Sequence, residues 1–544
     1  MNSTLLKDKI KDLTTPSGMG YLFCVAILGV FALILKDYGD ITSFKNYAAL
    51  IIIPFFAFTI IITFLINNWY KFNSSVFKTS TIFFALIFLV CCVMSVLFSQ
   101  YLTKPDGINI LINGKGRGDG LYYYFLYLAC FFIPALFCGV KRSLAYVLGG
   151  VSIINSILLI FQLYGKNPLN LIPDGAYNGK FIEFGGTLGN IDLLSAYFCL
   201  AVSFMAVYYV VCKDNKIRFS LLIAIAFSTY SIRSINVYSG YIGLAFAIII
   251  ALPILASNHK YLCRLIDVAI SVLVGIIPTT IINHIYPKNL GQTITTYSIS
   301  KTTLFIALAI ILALEIRLII TKFKPKYNRK IAAIVLAIIE LCAIVTAVLI
   351  IKFCFKESGG LLGEISAALN GTLNDMSGSH RIAIWRFSFE LFKDNPIFGT
   401  GVGAFTNAFS DNFLAEYQAA IGKTAHPDSV HNEYLQMLVT TGICGFISYM
   451  GMLISLFVRA IKCVFKNPLI SVALIASLAY SAQMFFNINI IIVAPFFFCV
   501  LGMLEYEIRK AERENNYASY SIVSPSEDDA LNLQDVNSNA DIIV

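Results

Sequence analysis

The amino-acid sequence predicts an all-α, polytopic membrane protein with about 14 transmembrane helices and one large extracytoplasmic, partly helical loop. Two observations lead to this prediction. Of the 544 residues, 58% are hydrophobic and only 13% are charged, whereas soluble proteins carry about 25% charged residues. The apolar residues also lie in runs long enough to cross a hydrocarbon layer about 30 Å thick, which takes roughly 20 residues of helix. A lipid bilayer is therefore the expected surrounding of this chain.

The apolar runs define the predicted helices in order. The first run follows Lys7, Lys9 and Lys11 and shows no small-residue cleavage site before Lys36, so we expect an uncleaved helix rather than a signal peptide. The predicted spans are residues 20–35, 47–66, 79–98, 121–139, 143–163, 191–212, 217–232, 237–256, 264–283, 302–321, 331–353, 434–458, 469–486 and 489–505.

The distribution of Lys and Arg predicts the orientation of these spans. Short basic clusters, such as Lys141 with Arg142 and Arg459 with Lys462, fall in alternate loops between the runs. More than half of the 40 basic residues lie inside if the N-terminus is cytoplasmic, as the positive-inside rule requires. We therefore expect a multi-pass protein of the cell membrane with both termini in the cytoplasm. The same clustering argues against a nucleic-acid partner, despite a formal net charge of +9.

Hydropathy and polarity divide the chain into four segments. The segment 354–433 is too long for an ordinary connection, and loops of this length are usually functional or disordered. It contains the helix-like run Arg381–Phe392, so we expect an ordered cap. The four segments are a membrane domain of about 11 helices at 1–353, the large extracytoplasmic loop at 354–433, C-terminal transmembrane helices at 434–508, and a disordered cytoplasmic tail at 509–544.

The large loop concentrates the residues that can carry chemistry. Three of the five histidines lie there, namely His380, His426 and His431, together with Arg381 and Arg386. Elsewhere the polar residues are spread thinly between apolar runs. The loop is therefore the first place to expect a site.

Glycines and cysteines in the chain favour structural roles. The run Gly399, Gly401 and Gly403 lacks the Lys-Ser/Thr pair of a phosphate loop, and we interpret it as a turn. The 13 cysteines show no zinc spacing and lie in or beside apolar runs, where cysteine behaves as a small hydrophobic residue. No acidic cluster suggests a metal site, so neither a metal nor a cofactor is expected.

One motif in the loop resembles a known family. The pair His431-Asn432 is followed after nine residues by Gly442 and then, after two more, by Gly445. This pattern is similar to the signature of the O-antigen ligase and polymerase superfamily, and the likeness is clear over about residues 375–450. Because the two glycines lie three apart on the next predicted helix, we expect them to permit close helix packing.

Weaker likenesses to that family lie upstream. Arg117–Leu121 stands at the mouth of the fourth predicted span, and Gly186–Asn190 precedes the sixth. The family often has a Ser-Arg-Gly element in a mid-chain span, but the nearest equivalent here, Tyr238-Ser239-Gly240, lacks the arginine.

The resemblance implies the transfer of a glycan from an undecaprenyl-diphosphate donor to an acceptor hydroxyl at the outer face of the membrane. His431 would act as the general base, and Asn432 would orient it or bind a sugar hydroxyl. Arginine binds phosphate oxygens with a planar, permanently charged fork, so we expect diphosphate contacts from Arg381 first, then Arg117 and Arg386. The acceptor would be a glycan, a lipid or a protein, and the motif does not separate a ligase from a polymerase.

Two rival functions remain open. A lipid-linked oligosaccharide transporter, or flippase, would show internal repeats and polar residues along its spans, of which Glu340 is one example, since it lies mid-span. A peptidoglycan polymerase of the shape, elongation, division and sporulation type would depend on an acidic loop residue. In that case Asp375 and Asp428 would matter more than His431.

Overall fold

The structure is a computed structural model of the chain. It describes residues 12–36, 41–67, 77–115, 117–163, 166, 168–171, 185–213, 217–256, 258–285, 299–324, 328–355 and 360–523. Every regular element within these ranges is helical, as the sequence predicts.

The described residues form eighteen α-helices, most of them coinciding with a predicted apolar run. A π-helical turn, Ala26–Phe31, continues the helix Pro16–Val25, and a 3-10 turn, Met484–Phe486, continues the helix Pro468–Gln483. The α-helices are α1 (Pro16–Val25), α2 (Ile41–Asn67), α3 (Ser80–Leu97), α4 (Gly107–Asn113), α5 (Leu121–Phe137), α6 (Arg142–Leu163), α7 (Ile191–Val211), α8 (Phe219–Ile235), α9 (Tyr238–Leu255), α10 (His259–Ile285), α11 (Ile299–Phe323), α12 (Arg329–Cys354), α13 (Gly360–Asn370), α14 (Arg381–Asp394), α15 (Phe405–Ile421), α16 (Glu433–Cys463), α17 (Pro468–Gln483) and α18 (Ala494–Val523).

The helices have the composition of a multi-pass membrane protein. Within the described ranges, ten are long and apolar enough to cross a membrane, and three apolar helices, Pro16–Phe31, Leu121–Phe137 and Phe219–Ile235, are shorter. The count of about 14 spans therefore stays a prediction. Helix α18 begins apolar and continues as a charged helix to Val523, although the sequence predicted disorder from residue 509. Residues 524–544 lie outside the described part.

The centre of the bundle is built from α7 and α17. Helix α7 is almost wholly buried, and α17 packs against both α7 and α9. Close approach is possible because α9 presents Gly243 to its neighbours. A Cβ atom on Gly243 would lie 2.5 Å from the Sγ of Cys199 and 2.6 Å from the carbonyl oxygen of Ala479. Small residues at such contacts let membrane helices pack tightly.

Helices α11 and α12 lie at the periphery. None of the membrane-spanning part of α12 is buried, and its side chains are apolar almost all round. A helix of this kind in contact with lipid needs no partner to cover its surface. Glu340, the mid-span carboxylate of the transporter hypothesis, belongs to this outer helix, which packs against α9 and α13.

The segment between α12 and α16 folds into three helices, as expected of an ordered cap. The predicted run Arg381–Phe392 is the helix α14, which ends at Asp394. Helix α14 packs on α15 and α16, and α13 packs on α12, so the cap contacts the bundle through both α12 and α16. The position of this cap on the outer face stays a prediction.

Helix α16 is broken at Gly442. This residue has φ 65° and ψ −171°, a combination that is almost confined to glycine. A Cβ atom there would lie 2.2 Å from the carbonyl oxygen of Ile397. The prediction that Gly442 serves helix–helix packing is therefore wrong, because its neighbour is the backbone of a loop. A Cβ atom on Gly445 would meet the side chain of Thr441 on the same helix.

The loop that crosses the break supplies the missing hydrogen bonds. The backbone N–H of Ile443 donates to Pro396 (2.9 Å), while Thr400 donates to the carbonyl of Val439 (2.9 Å) and Gly401 to that of Thr440 (3.0 Å). In a bilayer every backbone polar group needs a protein partner, so the loop allows α16 to bend. Gly399, Gly401 and Gly403 have φ values of 73°, 101° and 77°, which confirms the predicted turn.

Candidate functional site

His431 is held rigidly at the start of α16. The next residue, Asn432, is the N-cap, and its side-chain oxygen accepts a hydrogen bond from the N–H of Leu435 at 3.1 Å. On the other side, the N–H of Val430 donates to the side chain of Gln436 at 3.0 Å. His431 itself has φ 52°, and such backbone conformations persist where the surroundings impose them. The buried side chain of Asn432 therefore fixes the position of His431.

The cap reinforces this position. The indole N–H of Trp385 on α14 donates to the carbonyl of Val430 at 3.0 Å. The ring of Trp385 also packs edge-on against Phe485, with 5.8 Å between the ring centroids. A side chain of the cap is therefore tied both to the loop before His431 and to the end of α17.

Arg117, Asp428 and His431 form one cluster. Arg117, just before α5, makes an ion pair with Asp428. The other carboxylate oxygen of Asp428 lies 3.6 Å from the Nε2 of His431. The Arg117 side chain is 22% exposed, that of His431 33% and that of Asp428 55%. The structure thus brings together residues that are more than 300 positions apart.

The segment that carries Arg117 is well anchored. The hydroxyl of Tyr127 donates to the carbonyl of Gly118 at 2.6 Å. Asp119 is partly buried next to Arg117, and burial raises the pKa of its carboxyl while the charge of Arg117 lowers it. One oxygen of Asp119 accepts no hydrogen bond from the described residues. The anchoring limits how far Arg117 can move.

The cluster faces a cavity of about 290 Å³. Its other polar lining residues are Asn190 and Asp192, at the start of α7, together with Thr42 and Asn487. The side-chain oxygen of Asn190 caps α7, accepting from the N–H of Asp192 at 2.7 Å. The side-chain amide of Asn487 donates to the carbonyl of Asp192 at 3.1 Å. The cavity therefore combines an arginine, two carboxylates and two amides around one imidazole.

Arg381 lies close to this cluster. It is the first residue of α14, and its guanidinium donates to the carbonyl of Gly378 at 3.3 Å. Its Nε is buried and has no hydrogen-bond partner among the described residues. Burial lowers the pKa of His431, and the charge of Arg381 lowers it further, so Arg381 lies within electrostatic reach of the cavity.

The surroundings keep His431 neutral. Burial is the largest cause, and the charges of Arg381 and Arg117 add to it, so the pKa of His431 falls from 6.5 to about 4. Near neutral pH the imidazole therefore has one nitrogen that can accept a proton. Neither ring nitrogen makes a hydrogen bond of normal length to a described residue.

Other predicted residues lie elsewhere. Arg386 forms an exposed ion pair with Asp375 at 2.7 Å and is not among the residues that line the cavity, and its diphosphate contact stays a prediction. The Nε2 of His380 lies 3.4 Å from the Nζ of Lys423 at the surface. His426 is also exposed.

Several residues of the cavity wall were missed by the sequence reasoning. Asp428 was named only for the peptidoglycan-polymerase alternative, and its place beside His431 was missed although it stands three residues before that histidine. Asp192 and Asn487 come from distant segments, and nothing in the sequence pairs them. Glu433, next to the motif, is buried and accepts hydrogen bonds from the N–H and side chain of Asn489. In the described part of the chain, no group of three or more His, Cys, Asp or Glu residues could hold a metal ion.

Comparison with known families agrees with the motif. Residues 290–450 match the family model described as O-Antigen ligase. No curated protein matches the chain significantly. The matched region runs from before α11 to within α16 and includes Arg381 and His431, whereas Arg117 lies outside it. The match supports the O-antigen ligase/polymerase-like superfamily for this multi-pass membrane protein, and with it a role in surface polysaccharide assembly.

Proposed function

We propose that this protein transfers a glycan from an undecaprenyl-diphosphate-linked donor to an acceptor hydroxyl at the outer face of the cytoplasmic membrane. The observation that carries the proposal is the cluster of Arg117, Asp428 and His431 on one cavity, with Arg381 within electrostatic reach. The cluster combines cations that can bind a diphosphate with a neutral imidazole that can accept the proton of a hydroxyl.

The bonds change in one displacement. The acceptor oxygen forms a bond to the anomeric carbon of the donor sugar while the bond from that carbon to the diphosphate oxygen breaks. His431 takes the hydroxyl proton, and Arg117 and Arg381 stabilise the charge of the departing lipid diphosphate. Fixed charges of this kind contribute most where the negative charge develops.

Donor binding strengthens the base. Two of the three causes that hold the pKa of His431 near 4 are the charges of Arg381 and Arg117. A diphosphate bound to these arginines offsets both charges, so the pKa of His431 rises towards the range in which a general base works well at neutral pH. The imidazole is then neutral before binding and more basic once the donor is in place.

The proposal includes the orientation of the chain in the membrane. Both termini lie in the cytoplasm and the cap lies outside, where no nucleotide is needed for the reaction. Gly422, at the end of α15, has open space around it, and exposed turns of this kind tolerate insertions. An epitope inserted after Gly422 is expected to be accessible to antibody on intact spheroplasts, and labelling only after permeabilisation would contradict this orientation.

The test is release of undecaprenyl diphosphate from a glycan-loaded donor by the purified protein. His431→Ala is expected to reduce release by about 100-fold or more, in line with general-base catalysis. His426→Ala is the matched control, because this histidine lies in the same loop and is exposed. Equal rates in the wild type and the His431 variant would remove His431 as the base.

The same assay separates the rivals. A flippase moves the donor without cleaving it, so donor transport without any release of undecaprenyl diphosphate would favour that function. Activity that survives His431→Ala but fails in Asp375→Asn would favour a polymerase that depends on an acidic loop residue. Supplying a lipid core, a protein or a second lipid-linked glycan as acceptor distinguishes a ligase from a polymerase.

A further inference from the structure

Asp428 occupies the position between the phosphate-binding group and the base. Its carboxylate pairs with Arg117 through one oxygen, and the other oxygen lies 3.6 Å from the Nε2 of His431. A carboxylate and a phosphate bind an arginine fork in the same way. A diphosphate that binds Arg117 therefore competes with Asp428 for the same guanidinium.

We propose that Asp428 is a positioning residue that exchanges between Arg117 and His431 when a diphosphate binds. The phosphate takes the place of the carboxylate on Arg117. The released carboxylate then accepts a hydrogen bond from the Nε2–H of His431 and leaves Nδ1 to take the acceptor proton. This inference rests on the proposed function, and it adds a coupling between donor binding and the state of the base.

The mobility of the partners decides which of them moves. Asp428 is 55% exposed and lies in a turn between α15 and α16, outside any helix. Arg117 is 22% exposed, and the carbonyl of its neighbour Gly118 is fixed by Tyr127. His431 is fixed by the cap of α16 on one side and by Val430 on the other. The hydroxyl of Thr406 donates to the carbonyl of Asp428, and that of Ser429 donates to its Oδ1, both at 3.2 Å. The backbone of Asp428 is therefore held as well, and its exposed carboxylate is the group that can rotate.

The movement required is small. A hydrogen bond from an imidazole N–H to a carboxylate spans about 2.7–3.2 Å, so a shift of roughly half an ångström closes the gap of 3.6 Å. The bond also fixes the tautomer, because the nitrogen that does not donate is left to accept a proton. Such a contact stabilises the imidazole once it has taken the proton from the hydroxyl of the acceptor substrate.

The other charged groups near His431 do not supply this contact. Arg117 and Arg381 are cations that oppose protonation of the ring. Asp192, on α7, is close to Arg381. Glu433, on α16, uses both oxygens on Asn489. Among the described residues, Asp428 is the carboxylate within ion-pair distance of the ring.

The first arm of the test measures binding without turnover. Inorganic pyrophosphate is titrated into the purified full-length protein in detergent micelles, beside Asp428→Asn and Asp428→Ala. Removing the competing carboxylate is expected to tighten pyrophosphate binding by about fivefold, which is the effect of a half-exposed ion pair. Glu390→Gln is the matched control, because Glu390 forms an exposed ion pair with Lys393 on the same cap, and its affinity is expected to equal that of the wild type.

The second arm measures the pH dependence of undecaprenyl diphosphate release. Without the carboxylate, the imidazolium is less stable, so the rise of the rate with pH is expected to begin about half a pH unit lower in Asp428→Asn. A residue that served folding alone would lower the rate at every pH without moving the midpoint. Glu390→Gln is again expected to match the wild type.

Each outcome decides one part of the inference. Unchanged or weaker pyrophosphate binding in both Asp428 variants would overturn the exchange, as would absence of binding to every protein tested. An unmoved pH midpoint would overturn the contact with His431. If the wild type releases no undecaprenyl diphosphate, the proposed function fails, and the binding arm still decides whether Asp428 competes with phosphate for Arg117.

Discussion

Replacing Gly442 by alanine tests whether the break in α16 supports the cavity. The new Cβ atom would lie 2.2 Å from the carbonyl oxygen of Ile397, a backbone atom that cannot rotate away. The backbone conformation itself, φ 65° and ψ −171°, costs a residue with a side chain about 1–3 kcal/mol. If the loop moves away, two hydrogen bonds from Ile443 and Cys444 to Pro396 and Ile397 are lost, at about 1 kcal/mol each.

These terms add up to a destabilisation of roughly 3–5 kcal/mol. The assay is the thermal transition of the purified protein, together with release of undecaprenyl diphosphate. Two glycines serve as controls. Gly371 has φ 69° with no neighbour within 4 Å, so its alanine variant suffers only the backbone strain of about 1–2 kcal/mol. Gly150, inside α6, also has open space, and its alanine variant is expected to be neutral or about 0.5–1 kcal/mol more stable.

Comparing Gly442→Ala with Gly371→Ala separates the contact with the loop from backbone strain. Gly442→Ala is expected to lower the transition temperature clearly more than Gly371→Ala and to reduce release as well, since α16 carries the cap of His431. A drop no larger than that of Gly371→Ala would refute the reasoning, because it would show that the contact between the loop and the break contributes nothing.

Three further predictions follow from the site. Arg381→Ala is expected to reduce undecaprenyl diphosphate release at least tenfold and Arg386→Ala less than about threefold, because only the first lies near the cavity; equal losses would contradict this placement. The pKa of His431 is lowered in the folded protein to about 4, so the unfolded state binds the extra proton and stability falls as the pH drops from about 6.5 towards 4. His431→Asn, which suits a positive φ, is expected to show a smaller fall in transition temperature over that range. An identical fall would show that protonation of His431 does not cause the loss of stability at low pH. Trp385→Phe removes the hydrogen bond to Val430 and is expected to cost about 1 kcal/mol, read out as a lower transition temperature; no change would show that this bond does not hold the loop.

The parts that could be predicted from the sequence depend on local patterns. Hydropathy runs place the helices because each membrane helix satisfies its own backbone hydrogen bonds. The pair His431-Asn432 was recognisable because the cap of a helix and the residue before it are neighbours in the chain. The helix that begins at Arg381 was likewise visible from its composition.

The parts that could not be predicted depend on contacts between distant segments. Arg381 and Arg386 lie on the same helix, and only packing against α16 decides which of them approaches the cavity. Asn487 donates to the carbonyl of Asp192, 295 residues away, and no periodicity relates the two. The break at Gly442 was missed because its cause is the loop around Ile397, whereas the sequence around it has the pattern of an unbroken helix.

The contact across the break in α16 sets the boundary for exchanging caps between related proteins. Hydropathy places the natural junction at residue 433, but the cap backbone continues to bond with residues as far as Cys444. Gly399 and Gly442 also allow the loop backbone and the α16 backbone to approach closely, since a Cβ atom on Gly399 would lie 2.4 Å from the backbone of Thr440. A chimera joined at 433 would place the loop and the broken helix that bonds to it in different parent sequences. A graft that runs through Cys444 keeps this loop and the break in α16 together, but the cap also contacts the segment after α3 through Ser99 and Thr400, so that segment has to match the grafted cap.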